Sequence, residues 1–273
     1  MRLGIHLPQY GRAASPEAIR AVAVRAEALG FADVWVSDHI LQPAGQGYPS
    51  PYLFDALLTL GWAAAATERI GLGTSVLVVP QYHPVQLANS LASLDRLSGG
   101  RLTVVAGVGW SRAEYAALDQ DFSTRGARMD EALALMREVW THDPASFSGR
   151  YYDVADIRVL PQPAGPLPIW IGGSSAPAMR RAAAADGYQA ISTTPEDLAP
   201  VIAALRAERP GDDFTISYRT GWDPQGMDRG LIRDERDAYA AAGVQHVVAA
   251  PWRTNADDWI RSMELLIELV APE

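Results

Sequence analysis

The segment Val34-Trp35-Val36-Ser37-Asp38-His39 passes from three residues suited to a buried strand straight into a hydroxyl, a carboxyl and an imidazole. Such a strand end offers proton transfer near neutral pH, because imidazole titrates there. Adjacent strand residues point to opposite faces, so Asp38 and His39 are not expected to form one dyad unless the chain has already turned. The ordinary alternative for His39 is a histidine that bonds a loop carbonyl. A second candidate lies in IWIGGSSAPAMRRAA, residues 169–183, where Ile171 leads into Gly172, Gly173, Ser174 and Ser175 and a helix begins. Paired glycines let a ligand approach the backbone, and a helix N-terminus presents N–H groups to an anion. A tight loop with a capping serine fits those residues equally well. In GTSVLVVP, Thr74 and Ser75 interrupt a run otherwise fit for a core; a buried serine bonded to backbone is the plain alternative. AGVGWSRAEY places Gly107, Val108, Gly109 and Trp110 at another strand end, where a turn with a packed indole would read the same.

Other polar residues fall at strand ends: His6 and Gln9 after the first, Gln81 and His83 after the third, Trp252 and Arg253 after the last. A metal centre would gather several His and acidic residues. The five histidines are His6, His39, His83, His142 and His246, and no His-x-His pair occurs. His246 begins a strand and is expected at the far face, while His142 ends a helix beside Asp143-Pro144, so no metal site is expected. There is no cysteine, and all 23 basic residues are arginine. Thiolate and Schiff-base chemistry are therefore excluded.

These groups must be positioned by an alternation of short β-rich runs with Ala/Leu-rich amphipathic runs. Strands are expected at 3–7, 34–37, 70–78, 101–107, 169–172, 188–191, 214–217 and 246–250. Helices are expected at 16–29, 54–66, 85–97, 127–140, 176–185, 196–207, 231–241 and 256–269. Ser15-Pro16-Glu17 supplies a cap, a first-turn proline and an acid for the first helix, and Gly30 ends it. Residues 146–163 read as a small hairpin or irregular insertion before the fifth strand. Strict β/α alternation implies a parallel sheet, and eight units favour a closed (β/α)8 barrel over a doubly wound sheet. No low-complexity linker divides residues 1–273, so one domain is expected. In such a barrel the C-terminal strand ends carry the chemistry, which is where Ser37, Asp38 and His39 fall.

The formal charge of −9 argues against a nucleic-acid partner. No window approaches a membrane-spanning length, and MRLGIHLPQY lacks the pattern of a signal peptide, so a cytoplasmic setting is expected.

The stretches LGIHLPQY, AEALGFADVWVSDHI, ERIGLGTSVLVVP, HPVQLANSLASLDRLSGGRLTVVAGVGWSRAEY, RGARMDEALALMREVW, SGRYYDV and PLPIWIGGSSAPAMRRAA run in order to about residue 183. Together they resemble the luciferase-like monooxygenase superfamily, in particular its F420-dependent oxidoreductases. The resemblance implies a (β/α)8 TIM barrel that binds coenzyme F420, or alternatively FMN, at its C-terminal mouth. It implies a non-proline cis peptide at Ser75–Val76, forming a bulge beneath the middle ring of the deazaflavin. His39 is implied as the acid or base acting on a small-molecule substrate. Gly107, Val108, Gly109 and Trp110 are implied to contact the cofactor side chain, with Ile171, Gly172, Gly173 and Ser174 on its phosphate side and His6, Asp38 and Thr74 nearby. Sugar-phosphate dehydrogenases of this family carry a glutamate after the fourth strand. Trp110 or Ser111 takes that place here, and there is no lysine to hold a sugar phosphate. The resemblance further implies a homodimer, for which the Ala-rich, Trp-bearing helix 54–66 is suited. Loops 40–53 and 146–163 and the chain beyond 219 are left to carry substrate identity. An FMN-dependent monooxygenase and a flavin-type binder without turnover are the rival readings.

Overall fold

The computed structural model describes residues 1–47, 50–211 and 213–270; Tyr48 and Pro49 of the 40–53 loop, Asp212 and residues 271–273 lie outside the described residues. Among the described residues, eight parallel strands close a barrel: β1 (Arg2–His6), β2 (Asp33–Val36), β3 (Gly71–Val78), β4 (Leu102–Gly107), β7 (Ile169–Gly172), β8 (Gly187–Ile191), β9 (Thr215–Thr220) and β10 (His246–Ala249). The expected insertion is an antiparallel hairpin of β5 (Ala145–Ser148) and β6 (Asp153–Ile157), separate from the barrel.

The helices are α1 (Pro16–Leu29), α2 (Ala56–Ala66), α3 (Pro84–Ser98), α4 (Arg112–Ala117), α5 (Arg125–Thr141), α6 (Ala176–Ala183), α7 (Pro195–Glu208), α8 (Arg229–Ala241) and α9 (Ala256–Val270). Their ends follow the local chemistry. The Ser15 hydroxyl accepts from Ala18 N–H at 3.0 Å, and Gly30 closes α1 at φ 85°, a conformation cheap only for glycine. The second helix begins at Ala56 rather than at Phe54, because Asp55 is its cap and accepts from Leu58 N–H at 2.8 Å. The ninth strand runs to Thr220, three residues beyond expectation, because it stays paired with β8 as far as Arg219 and with β10 as far as Thr220. The short α4 was not expected at all.

The alternate positions of β1 to β4 send Ile5, Val34, Val36, Leu72, Leu77 and Val104 into one apolar cluster with the helices. Each such side chain contributes about 1.5–3 kcal/mol when fully buried. The barrel interior at its closed, N-terminal end holds Trp35 and Trp170, whose ring centroids lie 5.7 Å apart, with His246 and Asp33 beside them. Glycines on neighbouring strands make room. A Cβ on Gly73 would run into the Trp35 ring, and one on Gly187 would lie 2.5 Å from Trp170 Cδ1. No helix among the described residues is long and apolar enough to cross a membrane.

Candidate active site

A cavity of about 560 Å³ opens at the C-terminal ends of the strands. Its lining draws Ser37, Asp38 and His39 from the end of β2, Ser75 and Val76 from β3, and Gly109 and Trp110 from the loop after β4. Gly172 and Gly173 after β7, Gln189 of β8, Arg219 of β9 and Trp252 after β10 complete the circuit.

His39 Nδ1 lies 3.0 Å from Glu114 Oε1, and the same oxygen accepts from Ile40 N–H at 3.0 Å. Gln81 Nε2 donates to the other carboxylate oxygen at 3.3 Å. Glu114 stands in the first turn of α4, whose cap Ser111 accepts from Glu114 N–H. Burial alone would raise the Glu114 carboxyl; the bonds from His39, Ile40 and Gln81 and the imidazole charge more than offset it and hold it below the usual carboxylate range. An ionised Glu114 keeps the proton on Nδ1 and leaves Nε2 as the ring nitrogen that can exchange a proton with a ligand. The Trp110 ring meets His39 edge-on at 5.6 Å and is 56% exposed, so it forms part of the cavity mouth.

Asp38, which like His39 lies beyond the end of β2, turns its carboxylate elsewhere. Its carboxylate accepts from Val78 N–H at 2.8 Å and from the Tyr82 hydroxyl at 2.9 Å. Burial raises its pKa to about 6, against the pull of those two bonds, and the charge of Asp55 adds to the rise. Burial and the neighbouring Asp38 in turn keep Tyr82 a phenol.

The Ser75–Val76 peptide is cis. Val76 sits between two glycines: a Cβ on Gly107 would lie 2.6 Å from Val76 Cγ2, and one on Gly172 2.5 Å from Val76 Cγ1. Both positions need glycine because the valine occupies the space. The Ser75 carbonyl accepts from Arg219 Nη1, and the Arg219 guanidinium lies 5.6 Å from the Trp252 ring centroid. Trp252 is held at φ 50°, uncommon for a bulky residue, and packs against His6 at 5.2 Å and Tyr10 at 5.3 Å.

The remaining expected residues take supporting places. His6 is fully buried behind Ser37, with Nδ1 2.7 Å from Leu7 O and Nε2 2.9 Å from Ser37 Oγ. Burial and the charge of Arg219 push its pKa well down, so His6 is neutral; Nδ1 donates to the carbonyl and Nε2 accepts from the serine. Thr74 is buried in the sheet, its hydroxyl accepting from Val105 N–H at 3.1 Å. Gly107 and Ile171 are buried beneath the cavity wall, and Val108 offers its carbonyl to Tyr115. Ser174 is exposed beside Ser175, the cap of α6. Glu114, Gln189, Arg219 and Tyr10 are cavity or partner residues that sequence reasoning passed over. Of the segments left to carry substrate identity, the lining includes Thr220, Gly221 and Trp252 from beyond 219, and none of the described residues of 40–53 or 146–163.

An F420-dependent glucose-6-phosphate dehydrogenase of Amycolatopsis mediterranei (strain U-32) is 35% identical over 178 residues, covering 63% of this chain and 53% of that protein. The chain thus spans about half the length of that relative. An F420-dependent secondary alcohol dehydrogenase in complex with an F420-acetone adduct superposes with a TM-score of 0.81 at 18% identity, covering 99% of each chain. The oxygenating constituent of 3,6-diketocamphane monooxygenase of Pseudomonas putida, in complex with FMN, gives 0.78 at 17% identity, covering 100% of this chain and 98% of that one. At these identities the two structures share the fold alone. The sequence profile of the luciferase-like monooxygenase family matches residues 1–221, and the chain belongs to that family.

Proposed function

We propose that the protein is an F420-dependent oxidoreductase that passes a hydride between the deazaflavin coenzyme and a small organic substrate. The observation that carries this reading is His39, held by the buried Glu114 and lining the same cavity as the glycine-flanked Val76. The coenzyme named for the Amycolatopsis relative supports F420 over FMN.

The residues present fit a flat ring system. Gly107 and Gly172 let Val76 advance where a Cβ would block it, and Gly109 and Gly173 keep the rim free of side chains. Ser75, Val76, Gly109, Trp110, Gly172 and Gly173 would hold the ring and its side chain, with Ser174 and the start of α6 toward the phosphate. His6, Thr74, Gly107, Val108 and Ile171 support them from behind. When bound, a deazaflavin supplies two-electron hydride chemistry without ready oxygen chemistry. The chain supplies the rest. Glu114 fixes the His39 tautomer, so Nε2 is a base in the neutral ring and an acid in the protonated one. Trp110 and Trp252 give the lining apolar surface, and Arg219 adds positive charge to it. The relatives' sugar phosphate is not carried over, because the chain has no lysine and presents Trp110 at the cavity. We also infer a cytoplasmic homodimer paired through α2, where Leu58 and Trp62 are 77% and 51% exposed.

The test is a titration of the purified protein with oxidised F420 and, separately, FMN, followed by fluorescence. Saturable binding of F420 at micromolar or lower concentration, with none of FMN, supports the proposal. Preference for FMN moves the protein to the monooxygenase reading. Binding of neither overturns both. A binder without turnover is distinguished by His39→Ala, which keeps affinity in either case but removes a reaction only if one exists.

A further inference from the structure

Beneath the cavity, a file of polar side chains crosses the barrel interior from its mouth to its closed end. Barrels of this kind are usually filled there by branched apolar residues. Ser75, Gln189, Ser217, His246 and Asp33 are each buried, and each is bonded to the next. Ser75 Oγ donates to Gln189 Oε1 at 2.5 Å, and Gln189 Nε2 donates to Ser217 Oγ at 3.1 Å. Ser217 Oγ lies 2.8 Å from His246 Nδ1, and His246 Nε2 lies 2.9 Å from Asp33 Oδ1.

The proton positions follow from the lower end. The Asp33 carboxylate also accepts from the Trp35 indole N–H. Burial would raise the Asp33 carboxyl, and the bonds from His246 and from the indole N–H oppose that rise. A carboxylate only accepts, so His246 Nε2 carries a proton. Ser217 Oγ accepts from Gln189, so its own proton goes to His246 Nδ1, which is bare. With its Nε2 toward Ser217, Gln189 turns its oxygen to Ser75, and the Ser75 hydroxyl spends its one proton on that oxygen. Every donor in the file points away from the mouth.

We propose that Asp33 and His246, at the closed end of the barrel, are positioning residues that set the hydrogen-bond polarity of the cavity floor, so that Ser75 Oγ meets a bound ligand as an acceptor only. A ligand is then favoured if it lays an N–H or O–H over Ser75, and penalised if it lays a carbonyl there. The file has one other self-consistent arrangement. With one extra proton on the His246–Asp33 pair, Nδ1 donates to Ser217, Ser217 to the turned amide of Gln189, and Gln189 to Ser75, whose proton is released toward the cavity. The charged groups acting on Asp33 in this arrangement are His246 on β10 and Arg2 on β1. The polarity stands whatever the ligand is; its application to F420 rests on the function proposed above.

The test uses the full chain and has two readouts. Long-range proton–nitrogen correlations of the imidazoles, assigned with His246→Gln, give the His246 tautomer in the ligand-free protein near neutral pH. A bare Nδ1 with a protonated Nε2 is expected; a proton on Nδ1 overturns the proposal. The second readout is the F420 dissociation constant. His246→Leu cannot orient Ser217 and is expected to weaken binding about tenfold. His246→Gln keeps the acceptor-then-donor order and is expected to restore most of that loss, which a purely space-filling role would not require. Ser217→Ala cuts the file by a single hydroxyl and supplies the same readout if the leucine variant fails to fold. Wild-type affinity in folded His246→Leu or Ser217→Ala overturns the proposal. If the wild-type protein does not bind F420, the functional reading has failed, and the tautomer alone decides the polarity.

Discussion

The His39 imidazole donates from Nδ1 to a glutamate carboxylate that is itself 1% exposed, 75 residues away along the chain. The pair joins a strand end to the first turn of α4, and it fixes which face of the imidazole is free for chemistry. Glu114→Gln tests the charge without emptying the site. Glutamine Oε1 still accepts from His39 and Ile40. Its nitrogen faces Gln81, whose own Oε1 is buried without a partner among the described residues and gains one if that amide turns. The variant is therefore expected to remain within about 1 kcal/mol of wild-type stability. Turnover should fall about a hundredfold or more, because a protonated His39 loses its counter-charge. F420 affinity should be unchanged. Equal loss of affinity and turnover would show that Glu114 shapes the cavity rather than the proton transfer.

Gly172→Ala pushes a methyl group to 2.5 Å from Val76 Cγ1, and Gly107→Ala does the same from the other side at 2.6 Å. Overpacking of this kind costs about 1–3 kcal/mol, and here it displaces the side chain proposed to carry the ring. Each variant should weaken F420 binding about tenfold or more. Val76→Ala removes the methyls that are struck. Combining it with Gly172→Ala should recover the stability lost by the glycine change, a coupling readable in a double-mutant cycle by chemical denaturation.

The barrel was legible from the alternation of strand and helix signals because caps such as Ser15-Pro16 and stops such as Gly30 are local. So were the glycines at 107, 109, 172 and 173, since glycine at a strand end announces close approach. The partners were not legible. Glu114 lies in a helix of six residues, too short to show periodicity, and the stretch reads as loop. Gln189 and Arg219 sit on strands whose inward face is set by register with neighbours far off in sequence. Arg219 also lay beyond the expected end of its strand, which pairing with β8 and β10 extends. Closure of a barrel is a non-local event, and no window of residues contains it.

Trp110 presents an exposed ring at the mouth, edge-on to His39. Its contacts are few, so Trp110→Ala should change stability by no more than about 0.5 kcal/mol. An aromatic edge or face against a flat ligand is worth about 0.5–1.5 kcal/mol, so F420 affinity should fall about threefold to tenfold. Trp110→Phe should recover most of it. A thermal shift and a fluorescence titration on the same three proteins separate the two quantities.

Asp38 gives a pH dependence whose sign can be stated in advance. Its carboxyl titrates at about 6 in the folded chain, against 3.8 as the ordinary value. A carboxyl raised on folding binds its proton more tightly in the native state. Below about pH 4 both states are protonated, and the native state has its full advantage. As pH climbs from about 4 to 6, the unfolded chain sheds this proton first, so the contribution of Asp38 to stability falls. The whole difference amounts to about 3 kcal/mol. Asp38→Asn removes the titration while keeping the shape: its oxygen accepts from Val78 N–H, and its amide donates to the Tyr82 hydroxyl, which can accept. Urea denaturation of both proteins from pH 4 to 7 is the measurement. The stability of the wild type minus that of the variant should fall with rising pH and level off above about 6. A difference that rises over the same range would mean that the bonds from Val78 and Tyr82 outweigh burial and that Asp38 is ionised throughout.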